Sequence, residues 1–279
     1  MLEIIQKAQK GKYAIGAFNV DNTETIEGVL AGAEAERSPV ILSVSPVSLK
    51  YTKLANLAAL AKAAIEDCSV PAFLHLDHGM TFEQTKETIA AGFSSVMIDG
   101  AELSLEENTK LTKTVCDYAH SKNVIVEGAL GHIVTGLSGQ AVMCTYPEEV
   151  SEFAEGSLVD VLAISIGNVH GLPGSPMKFD LERLAKIASI TDVPLALHGG
   201  SFTPKDTMRT VIETGICKVN IGTAIRVALM TGIGECLPKE LTRDNVAKVP
   251  FQQTLKSGKD RLIAEVRDTM RTLGSSNKA

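Results

Sequence analysis

The chain has no tryptophan, and aromatic residues make up only 4% of its 279 positions. Stacking platforms for nucleic-acid bases or sugar rings are therefore scarce. Positive charge is not in excess. The formal net charge is −6, so there is no basic field to hold nucleic acid or an anionic membrane. The five cysteines, Cys68, Cys116, Cys144, Cys217 and Cys236, contain no C-x-x-C pair. An odd, scattered set reads as reduced thiols in a cytoplasmic protein. No run of about 18 apolar residues occurs, so no membrane span is expected. The opening Met-Leu-Glu-Ile-Ile-Gln-Lys lacks the cationic-then-apolar order of a signal peptide. No linker, repeat or low-complexity stretch divides the chain. Hydrophobic residues at 44% and charged residues at 22% suit one soluble globular domain over 1–279.

What is present is an alternation of strand and helix. Apolar, β-rich runs are expected as strands at Tyr13–Asn19, Pro39–Ser45, Val70–Asp77, Ser94–Asp99, Asn123–Leu130, Val159–Ser165, Pro194–His198 and Cys217–Ile221. Helical spacing is expected at Thr23–Arg37, Leu54–Asp67, Thr81–Ala91, Leu105–Ser121, Glu148–Glu155 (stopped by Gly156), Asp180–Ser189, Pro204–Thr214 and Thr223–Thr231. Eight apolar strands alternating with about eight helices predict a parallel sheet closed as a (β/α)8 TIM barrel. An additional C-terminal helix, Phe251–Leu273 within an extension of about 249–274, carries an apolar stripe through Leu255, Leu262, Ile263 and Val266 that needs a partner surface. Two connections are long, 131–147 after the fifth strand and 167–178 after the sixth. Such loops commonly bind ligand.

The third strand runs Pro-Ala-Phe-Leu-His-Leu-Asp-His-Gly over 71–79. His75 and Asp77, two apart, share a face, and His78 stands at the turn. A buried strand is an unusual place for three titratable groups; the alternative reading is that Asp77 or His78 caps the next helix. Other polar residues fall at strand ends as well. Asp99 ends the fourth strand, Glu127 lies in the fifth, His170 follows the sixth, His198 ends the seventh and Asn220 ends the eighth. In a barrel of this type the C-terminal strand ends share one mouth, where the chemistry sits. Three histidines from three loops, with carboxylates beside them, make a Zn²⁺ site with an open fourth position. Gly199-Gly200-Ser201 and Asn220-Ile221-Gly222-Thr223 leave the last two strands and enter helices, the position at which such barrels hold phosphate on backbone N–H groups.

Together these segments resemble the class II, metal-dependent ketose-bisphosphate aldolases, in the tagatose/fructose-bisphosphate branch. The resemblance covers nearly the whole barrel. It rests on Tyr-Ala-Ile-Gly-Ala-Phe-Asn-Val, Ser-Pro-Val-Ile-Leu, Leu-His-Leu-Asp-His-Gly, Val-Met-Ile-Asp-Gly, His-Gly-Leu, Leu-His-Gly-Gly-Ser and Lys-Val-Asn-Ile-Gly-Thr in this order. It implies reversible retro-aldol cleavage of a ketose 1,6-bisphosphate, of tagatose or fructose type, to dihydroxyacetone phosphate and glyceraldehyde 3-phosphate. It implies Asp77 as general acid/base and His78, His170 and His198 as Zn²⁺ ligands. Asp99 and Glu127 would support the metal or offer an alternative position for it. Gly171, Gly199 to Ser201 and Asn220 to Thr223 would hold the phosphorylated fragment. Backbone near Val169, Gly171 and Gly199 would carry a monovalent cation, Na⁺ or K⁺, as in some relatives. A homodimer or homotetramer is the expected assembly.

The chain also departs from that pattern. The family reads Val-Glu-Ala-Glu-Leu-Gly in the fifth strand, where this chain reads Val-Glu-Gly-Ala-Leu-Gly. Ala129 thus replaces a glutamate, and 131–146 contains no acidic residue. His132 is the one imidazole there to stand in as base. Leu172-Pro173-Gly174 replaces a Lys-containing phosphate segment, and the C-terminal Asp-Pro-Arg segment is missing. Arg243 lies in roughly that region in another context, and Arg226 is the alternative candidate for that role. Three readings stay open: an aldolase, an aldolase-like protein with altered substrate or lost activity, and a Zn²⁺ hydrolase. Lys218 is a possible Schiff-base residue if the metal route fails.

Overall fold

The computed structural model describes residues 1–132, 143–169 and 178–279. In chain order the elements are α1 (Leu2–Gly11), β1 (Ile15–Asn19), α2 (Thr23–Glu36), β2 (Val40–Val44), α3 (Pro46–Tyr51), α4 (Leu54–Glu66), β3 (Ala72–Gly79), α5 (Phe82–Ala90), β4 (Ser95–Ile98), α6 (Leu105–His120), β5 (Ile125–Leu130), α7 (Pro147–Ser157), β6 (Val161–Ile164), α8 (Leu181–Ile190), β7 (Leu195–Leu197), α9 (Lys205–Thr214), β8 (Ile216–Ile221), α10 (Thr223–Glu235), α11 (Arg243–Val246) and α12 (Phe251–Leu273). The strands close into a barrel in sequence order, each parallel to its neighbours, with β8 returning to β1. This is the (β/α)8 architecture that the alternation predicts.

The pleat divides each strand between two cores. Outward side chains such as Phe18, Leu42, Leu74, Val96 and Val126 pack under the helices. Inward ones such as Ile15, Ala17, Ile41, Met97, Val161 and Ala163 fill the barrel, together with Ile5 and Ala8 of α1. The helix α1, which was not expected from the sequence, thus contributes apolar side chains to the interior. Polar residues also enter the interior, and these build the site.

Three local expectations are corrected. The second strand stops at Val44, because Ser45 caps α3 through its hydroxyl and Pro46 opens that helix. Gly156 does not stop α7. The helix runs on to Ser157, and a Cβ at Gly156 would lie 2.7 Å from Thr109 of α6, so the glycine permits close helix packing. The buried stripe of α12 is Thr254, Gly258, Leu262, Val266, Met270 and Leu273, leaving Leu255 and Ile263 half-buried at its edge. The partner of α12 is this chain's own surface. Leu262 and Val266 sit against Gly28 and Gly32 of α2, where a Cβ would approach to 2.6 Å.

Candidate metal centre and active site

The site starts from an irregularity in β3. Consecutive strand residues normally point to opposite faces, yet Asp77 and His78 both reach the barrel mouth. His78 has φ 53°, a left-handed conformation uncommon outside glycine. The β3–β4 register also shifts between Leu76 and Gly79. This local twist turns His78 inward beside Asp77. Strain of this kind persists where the surroundings over-determine it.

His78 meets His198, which follows β7. The His198 Nδ1 and His78 Nε2 atoms are 3.0 Å apart. Each ring is held at its other nitrogen by a carboxylate. Asp99 Oδ2 lies 2.6 Å from His78 Nδ1, and Glu127 Oε1 lies 2.8 Å from His198 Nε2. If both carboxylates accept an N–H, both facing nitrogens carry lone pairs, and those lone pairs repel unless a cation lies between them. Burial works against a charged His78, but Asp77 and Asp99 outweigh it and push the imidazole up to about 9. Burial pushes His198 down, against the pull of Glu127. The arrangement favours positive charge at this point.

Asp77 completes the cluster. One ligand atom from each of Asp77, His78 and His198 can be chosen so that all lie within 4.8 Å of one another. This donor set fits a divalent metal: two imidazole nitrogens, a neighbouring carboxylate, and a carboxylate behind each ring to orient it. His170 and Gly171, expected to act here, lie outside the described residues. Asp77 is only 4% exposed. Burial alone would raise its pKa, but His78, His198, Lys218 and Asn19 outweigh burial and hold the carboxyl well below its usual range. Asn19 Nδ2 donates to Asp77 Oδ2 at 2.6 Å, and Asn220 Nδ2 donates to Oδ1 at 2.9 Å. The role of Asn19 was missed from the sequence, although Asn19 ends the first quoted motif.

Beneath the mouth the barrel interior is ionic. Lys218 is fully buried, 2.8 Å from Glu127 Oε2, and donates to Asn220 Oδ1 at 2.6 Å. Burial alone would raise Glu127, but Lys218 and His198 hold it well below the ordinary range. His75 lies in the same layer, with Nδ1 2.7 Å from Ser95 Oγ. Burial first, then Lys218, pushes its imidazole down to about 3. Lys218 therefore serves Glu127 and Asn220, which counts against a Schiff-base role.

A cavity of about 290 Å³ opens above this floor, lined by Asp77, His78 and His198 and by the segments after β7 and β8. Gly199 has φ 71°, and a Cβ on Gly222 would lie 2.6 Å from Asn19 Oδ1. The hydroxyl of Ser201 accepts from the Ala224 N–H at 3.2 Å, tying the β7 loop to α10. The N-cap residue of α10, Gly222, supplies no side-chain acceptor, which suits an anion at the helix start. Asn168 was also missed; its amide donates to the His198 carbonyl at 3.0 Å.

His132 lies apart from this cavity. Its Nε2 is 3.8 Å from Glu102, and with Asp99 and Met80 the pair lines a second cavity of about 220 Å³. Arg226 lines the first cavity and is engaged by Asp21. Arg243 is exposed on α11. All five cysteines are free. Among the described residues no helix is long and apolar enough to cross a membrane.

Comparison with known proteins agrees with this geometry. The model of the family described as "Fructose-bisphosphate aldolase class-II" matches residues 1–278. A fructose-bisphosphate aldolase of Geobacillus stearothermophilus is 37% identical over 286 residues, covering 100% of this chain and 98% of that protein. The YdjI aldolase from Escherichia coli K12 superposes with a TM-score of 0.88 at 29% identity, covering 100% of this chain and 98% of that one. The crystal structure of a putative fructose-1,6-biphosphate aldolase from Coccidioides immitis has a TM-score of 0.89 at 30% identity, covering 99% of this chain and 96% of that one.

Proposed function

The chain belongs to the class II fructose-bisphosphate aldolase family of carbon–carbon lyases, and from that premise we propose that it cleaves a ketose phosphate to dihydroxyacetone phosphate and an aldehyde, with Zn²⁺ as its metal. The observation that carries this reading is the facing pair His78 and His198, each backed by a carboxylate and both beside Asp77. A divalent metal bound by these residues, with His170, would supply Lewis-acid stabilisation of the negative charge that develops on the substrate ketone.

The protein's own groups account for the rest. Asp77, ionised and oriented by Asn19 and Asn220, takes the proton from the hydroxyl on the carbon whose bond to its neighbour breaks. The electron pair of that bond passes to the phosphorylated fragment as an enediolate. Protonation at carbon then yields dihydroxyacetone phosphate. Gly199 to Ser201 and Asn220 to Thr223 hold the phosphate through backbone N–H groups and the start of α10. His132 lines a separate cavity with Glu102, so we assign it no step at that carbon.

The test is cleavage of fructose and tagatose 1,6-bisphosphate by Zn²⁺-loaded protein, beside a His198→Ala control. Production of dihydroxyacetone phosphate that chelator and substitution both abolish supports the proposal. Absence both of turnover and of solvent exchange of the dihydroxyacetone phosphate proton, with metal demonstrably bound, favours a second reading, binding without cleavage. The observation on that side is Ala129, buried in the barrel interior without the carboxylate expected there. Exposed Val227, Met230, Leu241 and Phe251 support assembly as a homodimer or homotetramer, which light scattering would check.

A further inference from the structure

A phosphate group carries a charge of about −2 at neutral pH, and a site that binds two of them must supply compensating charge for both. Among the described residues, Arg226 is the one cationic side chain lining the cavity outside the His78–His198 cluster, whose charge faces Asp77, Asp99 and Glu127. The undescribed segments, 133–142 and 170–177, contain no Lys or Arg. The charge of Arg226 is already matched. Asp21 receives its Nε at 2.7 Å and its Nη2 at 2.9 Å, a two-pronged contact.

Asp21 is anchored so that it does not swing aside. Its carboxylate accepts the Ser48 hydroxyl at 2.6 Å, and its backbone N–H donates to Thr25 Oγ1 at 2.9 Å, within the cap of α2. Burial would raise its pKa, but Arg226 and Ser48 outweigh burial and lower it, so Asp21 stays charged. The remaining rim is formed by Ser45 and Val47, which are neutral. The cavity therefore provides for one phosphate, at the backbone N–H groups of the β7 and β8 segments. A second would meet no unmatched cation and would approach Asp21, and like charges brought together oppose binding.

We propose that the substrate carries one phosphate, on its dihydroxyacetone half, and that its other fragment is an uncharged hydroxyaldehyde. This rests on the aldolase reading above and narrows its acceptor side. In the synthetic direction the donor carbon loses one proton and forms a bond to the aldehyde carbon, and the aldehyde oxygen gains one proton, so no further reactant is needed. Arg226 Nη1, beside Gly222, is placed to donate to a neutral hydroxyl.

The experiment follows consumption of dihydroxyacetone phosphate by Zn²⁺-loaded protein with D- and L-glyceraldehyde and with D- and L-glyceraldehyde 3-phosphate, which removes any dependence on product stereochemistry. The expected result is a kcat/KM for the better free aldehyde about tenfold or more above that for the better phosphorylated one. Equal or better use of a phosphorylated aldehyde overturns the inference and leaves the aldolase reading standing. Solvent exchange of the donor proton without addition to either class also overturns it. Neither exchange nor addition would sink the aldolase reading itself. Asp21→Asn, which unmatches Arg226, is expected to move the ratio severalfold toward the phosphorylated aldehyde; an unmoved ratio removes Asp21 from the account.

Discussion

His78 Nε2 and His198 Nδ1 stand 3.0 Å apart, brought together from the ends of β3 and β7 across the barrel mouth. Each ring is fixed from behind by its own carboxylate, Asp99 or Glu127. A metal centre of this form depends on the pair and on the groups that orient it.

Removing an orienting group is therefore expected to weaken metal binding without removing a ligand. Asp99→Asn should lower affinity for Zn²⁺ by about 10–100-fold, whereas His198→Ala should abolish tight binding. Competition with a chromophoric chelator measures both. Equal affinity in Asp99→Asn and the unaltered protein would refute the orienting role of Asp99.

Asp77→Asn should separate chemistry from metal binding. Proton transfer by a positioned group contributes about 10²–10⁴-fold, and a loss of that order in kcat is expected, with metal binding weakened far less than by His198→Ala. A small loss of stability should accompany it. Asn19 and Asn220 both donate to Asp77, so a substituted amide would turn its own NH2 toward a donor.

Lys218 is predicted to be structural. It lies fully buried against Glu127. Lys218→Met strands that carboxylate in the core, and removing one partner of a buried pair costs about 3–5 kcal/mol. Urea unfolding should show a midpoint shifted accordingly. Borohydride added with dihydroxyacetone phosphate should leave the enzyme active; trapping at Lys218 would revive the Schiff-base route.

Glu36 makes stability depend on acid. It accepts from Arg267, Arg271 and Ser276, tying α2 to the end of α12. Burial would raise its pKa, but these partners outweigh burial and lower it to about 2. A folded-state pKa below the unfolded one stabilises above the unfolded value, and that stabilisation is lost as pH falls through about 2. Glu36→Gln should thus cost about 1–2 kcal/mol at neutral pH, after discounting for solvent around the two half-exposed arginines. The difference between the proteins should shrink from about pH 4.5 downward. A constant difference across that range would mean that packing, not charge, sets the effect.

The barrel was legible because its signal is local. Apolar runs, helical spacing and glycine or capping residues repeat along the chain, and each reports its own segment. Asp77, His78, His198, Asn220 and Asp99 could be placed at strand ends for the same reason, and parallel closure puts all strand ends at one mouth. Elements with weak local signals were lost: α1, and α3 behind its Ser45-Pro46 start. The direction of His78 was not legible, because it follows from a left-handed residue and a register shift against β4. Nor were the partners. Asn19 reaches Asp77 across the barrel, Lys218 meets Glu127 inside it, and Asp21 claims Arg226 from 205 residues away. A sequence displays which groups carry charge and where each element begins. Which charges neutralise each other depends on closure and register, interactions between distant segments that exist only once the barrel has formed.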